Sequence, residues 1–241
     1  MANKIKGYQR AAEACERRWN TAMRYGYASE AYAASHDYEK NIKAQDEELK
    51  KMDPNSHEYE KAERSLEEQR GNSWEMDRQQ RDHFSGEEKK QAYQELGEKN
   101  NKISRDMTKA VERGDSANYD SLREQYEKNI SSKEQLGKQM KEEGVEFTDT
   151  VYQEKVDLHS HDVDMCSKIN EKVSEKESKG KSVSEEDRIE AEKYSKQMKQ
   201  SEADLLKYQN DKEIESMRER GASESAIKSK EEENDRFQRS L

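Results

Sequence analysis

Proline is almost missing from this chain: Pro54 is the only one in 241 residues. Nothing else in the sequence forbids helix propagation outright, so long uninterrupted helices are open to it. Cysteine is nearly absent too. Cys15 and Cys166 are too few for a disulfide framework, and reduced thiols in the cytoplasm are the expectation, with secretion lacking a cleaved signal as the other route. Large apolar side chains are scarce: Leu, Ile, Val and Phe together number 27 of 241. No stretch approaches the roughly 18 apolar residues of a membrane-crossing helix, and the opening residues lack the apolar run of a secretory signal.

What is abundant is charge, at 41% of residues, against 29% hydrophobic. Lys and Arg number 45 and Asp and Glu 55, so the net charge of −10 is the small difference of two large populations. Helix-favouring Glu, Lys, Gln, Ala and Arg dominate. Such a chain has too little apolar material for a large single core. It has enough for narrow seams, which need about two apolar residues in seven. The expected fold is all-α: elongated antiparallel helical hairpins, a coiled-coil-like bundle, without β-sheet.

Helix punctuation recurs along the chain. Asp53-Pro54 reads as an N-cap and first turn, and Ser85 to Glu88 as a capping box. Gly114, Gly144, Gly180 and Gly221 read as stops, each followed by a new polar cap. Between them the apolar spacing is 3,4. Tyr93, Leu96, Asn100, Ile103, Met107 and Ala110 form one run; Tyr119, Leu122, Tyr126, Asn129, Lys133, Leu136 and Met140 form the next. Tyr152, Val156, His159, Val163, Cys166, Asn170 and Val173 form a third, and Tyr194, Met198, Ser201, Leu205 and Tyr208 a fourth. Glu-to-Lys pairs four apart, such as Glu95/Lys99, Glu124/Lys128 and Glu192/Lys196, support the exposed faces.

This divides the chain into an Ala- and aromatic-rich basic helix (1–36), hairpins over 37–71, 86–143 and 149–220, a polar connector (72–85) holding Trp74 and Phe84, and a charged C-terminal helix or tail (221–241). Asn100, Asn129, Lys133, Asn170 and Ser201 occupy seam positions where apolar residues would be stronger, which points to self-association or to a partner.

Residues 1–36 differ from the rest. Five of the 17 aromatics fall here (Tyr8, Trp19, Tyr25, Tyr27, Tyr32). Through residue 24, six basic residues outnumber Glu13 and Glu16. The bland reading is internal packing. The functional reading is a face docking another protein through Arg17, Arg18, Trp19, Tyr25 and Tyr27. A nucleic-acid partner is not expected, because the rest of the chain is acidic and repels phosphate.

Catalytic patterns are not evident, and no cofactor is implied. His159, Asp162 and Cys166, at i, i+3 and i+7, form a weak candidate metal set on one helix face; packing explains His159 and Cys166 equally well. The expected function is a non-enzymatic scaffold or adaptor acting through protein–protein contacts. The alternatives are an acidic inhibitor or decoy of a nucleic-acid-binding enzyme, and a secreted effector engaging a host surface.

Overall fold

A computed structural model describes residues 2–240, with side chains over 4–232. Eight helices account for 86% of the chain and no strand occurs among the described residues, so the fold is all-α, built from helical hairpins. In order they are α1 (Ala2–Tyr25), α2 (Ala28–Leu49), α3 (His57–His83), α4 (Gly86–Arg113), α5 (Ser116–Glu142), α6 (Val151–Ser178), α7 (Glu185–Glu219) and α8 (Glu224–Ser240). None of the described helices is long and apolar enough to cross a membrane.

Caps set most of these boundaries. At α7, Ser184 and Asp187 bond reciprocally to each other's backbone amides, a complete capping box. At α4, the Glu88 amide donates to Ser85 Oγ and the Ser85 amide to Glu88 Oε2. The α1–α2 break is made by Gly26, whose φ of 73° is costly for any residue with a Cβ.

Two expected boundaries move. Segment 1–36 is not one helix, because Gly26 divides it and folds α1 back on α2 as the first hairpin; the hairpin expected over 37–71 is α2 with α3, over 28–83. The 72–85 connector is helical to His83. Its polarity concealed two buried positions four apart, Met76 and Gln80, and intrahelical pairs such as Arg78–Glu75 at 2.6 Å. The α3 cap is Ser56, which accepts from the Tyr59 amide at 3.2 Å, while Asp53 closes the preceding turn through the Asn55 amide.

The chain forms two compact units. The first comprises Met1–Lys99 and Lys128–Thr148, the second Asn100–Glu127 and Asp149–Leu241. Residues of α4 and α5 therefore serve both.

In the first unit α2 is the hub. From Ala28 to Ser35 it buries seven of eight residues, nearly all small, with Tyr32 among them. Small side chains permit α1 and α3 to approach α2 closely, and the rings fill the remaining space. Tyr32 packs 6.2 Å from Phe84 between ring centres and donates its hydroxyl hydrogen to Gln139. Two lysines expected to pair along their own helices reach α2: Lys99 meets Glu30 at 3.3 Å and Lys128 binds Asp37. Lys133 is buried with its ammonium 4.4 Å from the centre of the Tyr93 ring. At Gly137 a Cβ would stand 3.2 Å from the Phe147 ring, which would have to give by a few tenths of an ångström to admit it.

The second unit pairs α6 with α7, the second half of α4 and the first half of α5. The α6 seam lies about one residue away from the expected register: Val151, Glu154, Leu158, Asp162, Met165 and Ile169 are buried, Cys166 of the expected row is buried with them, and Tyr152 is 43% exposed. The register turns because Glu154 and Asp162 are held inside by donors. Asn100 Nδ2 donates to Glu154 Oε2 at 3.1 Å. Around Asp162, whose side chain is wholly buried, Tyr119 donates at 2.7 Å, Arg123 in a fork at 2.8 and 3.0 Å, and Gln197 at 3.2 Å. Burial and the neighbouring carboxylate push the Tyr119 hydroxyl far above its usual range. Burial works against charge on Arg123, but its bonds to Asp162 outweigh it and hold the guanidinium firmly charged.

Asp162→Ala removes the acceptor shared by Tyr119, Arg123 and Gln197, leaving Arg123 only its pair with Glu127 at 2.6 Å, and is expected to destabilise the second unit by about 3–5 kcal/mol in chemical denaturation. Adding Arg123→Met to it should recover part of that loss; no recovery would show that the pair is not the stabilising element.

Asp187 yields a pH prediction. Bonds from Lys176 and then Ser184 hold its carboxyl at about 2, below its ordinary 3.8. A depressed native value means the ionised group contributes in full above the unfolded value of about 4, and the contribution disappears as pH falls through about 2. Carboxyl-carbon NMR should give a midpoint near 2, and Asp187→Asn should lose less melting temperature than wild type on acidification. A midpoint near 4 would contradict the cap geometry.

Candidate functional site

The candidate surface lies in the first unit, where α1 ends and α2 begins. The five residues expected to dock a partner separate into two groups. Trp19 is buried, at 5% exposure, and its indole N–H donates to Gln80 Oε1 at 2.6 Å. It belongs to the stripe Ile5, Ala12, Cys15, Trp19 and Ala22 that α1 turns inward. The docking role expected for Trp19 is thus replaced by packing. The physical reason is spacing: Trp19 continues the 3,4 seam and finds an internal acceptor for the one polar atom of its ring.

Arg18 is half exposed yet committed. Its guanidinium lies 2.9 Å from Asp37, which also binds Lys128, and 3.7 Å from Glu30. This ties α1 to α2. Burial raises the Cys15 thiol above its ordinary value; Asp37 adds to that, and Arg18 and Lys128 oppose it. Cys15 is therefore a protonated packing residue.

The other three face solvent. Arg17 is exposed, and Tyr25 and Tyr27 are 63% and 59% exposed. The two rings stack on each other across the Gly26 turn, with centroids 6.0 Å apart and planes 26° apart. An open depression beside them is lined by Ala14, Arg17, Arg18, Thr21, Tyr27 and Glu30. The glycine makes this arrangement: it reverses the chain so that residues on either side present their rings together.

The weak metal set lies in the second unit and does not converge. Asp162 is saturated by Tyr119, Arg123 and Gln197. His159 Nδ1 hydrogen-bonds Ser201 Oγ at 3.1 Å, and Cys166 is buried, accepting weakly from Asn170 at 3.5 Å. Among the described residues no cluster of three or more His, Cys, Asp or Glu could hold a metal ion. Spacing along one helix cannot reveal donors arriving from two others, so the Asp162 cage was not legible; Tyr119 on its seam was its one visible member. The connector aromatics also part ways. Phe84 is a core residue, whereas Trp74 is 68% exposed on α3.

Trp19→Ala removes a large buried ring and leaves the Gln80 oxygen without its donor. It is expected to cost about 3–5 kcal/mol in denaturant titration, while Tyr25→Ser with Tyr27→Ser should change stability by less than about 0.5 kcal/mol. Equal costs would contradict this division into core and surface. No family model, no curated protein and no solved structure matches the chain.

Proposed function

We propose that this chain is a non-enzymatic scaffold or adaptor that works in the cytoplasm through protein–protein contacts, with the solvent face of α1 and the Gly26 turn as its docking surface. The observation that carries the reading is the stacked, exposed Tyr25–Tyr27 pair beside Arg17. Tyrosine and arginine are the side chains most enriched at the energetic centres of protein interfaces. A pair of rings already held against each other loses little conformational freedom when a partner covers it. Nothing in the packing of the first unit requires these rings outside, since Tyr32 and Tyr38 fill the adjoining core. The helical hairpins supply a rigid frame that holds the surface in one orientation.

The test is quantitative cross-linking and affinity capture from the source cells, wild type against Tyr25→Ser/Tyr27→Ser. The expected result is loss of the wild-type partner set with an unchanged far-ultraviolet circular dichroism spectrum. Retention of that set by the double variant would remove the assignment.

A further inference from the structure

The first helix carries two seams. The inward one is the stripe through Ile5, Ala12, Cys15, Trp19 and Ala22. Two residues on, about 200° round the helix, Gly7, Arg10, Ala14, Arg17, Thr21 and Arg24 repeat the same 3,4 spacing, and all six are exposed. Arginine returns every seventh residue, a period that keeps side chains along one line of contact with a neighbouring helix. Arg10, Arg17 and Arg24 form no ion pair with any described side chain, although Arg18, next to Arg17 in sequence, holds two carboxylates.

Resting on the reading above, we propose that this outer seam takes an acidic α-helix of another protein. It lies along α1 with carboxylates at seven-residue spacing opposite Arg10, Arg17 and Arg24. Charge complementarity argues for the sign of the partner. The row spans about 21 Å at 1.5 Å per residue, the length of a helical contact of four turns. Ala14 and Thr21, both exposed and small, separate the arginines, and Gly7 precedes Arg10 with nothing within 4 Å of where a Cβ would stand, so a partner backbone can come close along this row. The Tyr25–Tyr27 stack closes one end of the row and gives an incoming apolar side chain a surface to cover.

Rival occupants fit less well. A bilayer needs an apolar face to bury, and α1 has already turned its apolar face into its own unit. A second copy of the same face would set arginine against arginine. A polyanion such as duplex DNA would meet Glu13, also exposed on α1, and the excess negative charge of the chain.

The experiment uses the full chain and a labelled 21-residue stapled helix presenting three glutamates seven residues apart, followed by fluorescence anisotropy at low ionic strength. The control peptide has the same composition with the glutamates spread round the helix. The expected result is at least tenfold tighter binding of the patterned peptide. Arg10→Glu/Arg17→Glu/Arg24→Glu should abolish that preference, and a peptide with lysine in place of the three glutamates should restore binding to this variant. Equal binding of the two acidic peptides, no binding of either, or tighter binding of phosphatidylserine vesicles or duplex DNA than of the patterned peptide would overturn the proposal. The same arginine variant in the capture experiment separates the two claims. If it keeps the natural partners while Tyr25→Ser/Tyr27→Ser loses them, the acidic-helix assignment fails and the docking surface stands.

Discussion

Tyrosine does in this protein what leucine and phenylalanine do elsewhere. Among the described residues the five largest fully buried side chains are Tyr32, Tyr38, Tyr119, Tyr126 and Tyr194. A phenol ring fills a seam between helices well, but its hydroxyl cannot be left dry and unbonded without a cost of about 1–3 kcal/mol. Each interior therefore needs polar partners at set positions. Tyr32 requires Gln139; Tyr119 requires Asp162; Tyr194 reaches Asp120 at 3.0 Å. Once a carboxylate such as Asp162 is inside, it needs more than one donor, and Arg123 and Gln197 follow it in. The shortage of aliphatic residues thus propagates into a core specified largely by hydrogen bonds. Such bonds are directional, and they select one register where a greasy seam would tolerate several.

That chain of dependence explains how much could be read in advance. The helical class, the capping boxes at Ser85 and Ser184, and the seams of α4 and the second half of α5 follow from local spacing, and local spacing is visible in one sequence. The register of α6 does not. Reading it means accepting Asp162 and Glu154 as interior residues, and only Tyr119, Arg123, Gln197 and Asn100, all remote in sequence, make that acceptable. The same blindness hid the 72–83 stretch of α3, where polarity looked like a connector and was in fact one wet face of a helix with Met76 and Gln80 beneath it.

The surface reading was legible in half. Composition marks the basic, aromatic N-terminal segment as unlike the rest, but composition has no sense of direction round a helix. Trp19 and Tyr25 look equivalent as aromatic residues in a string. In three dimensions the first is an interior strut and the second, displaced beyond the inward seam and set beside a left-handed glycine, belongs to solvent. Arg17 and Arg18 differ in the same way, since one residue of rotation decides whether a guanidinium meets Asp37 or water.

The placement of the two indoles has a practical corollary. Trp19, sealed in the core, and Trp74, open to water, both belong to the first unit, and the chain has no others. Emission excited at the red edge of protein absorbance therefore reports on that unit alone, with one dim-to-bright contrast between a sheltered and a wetted chromophore. The second unit is optically silent in this band, and any gap between such a trace and a whole-chain helicity trace measures how independently the two halves melt.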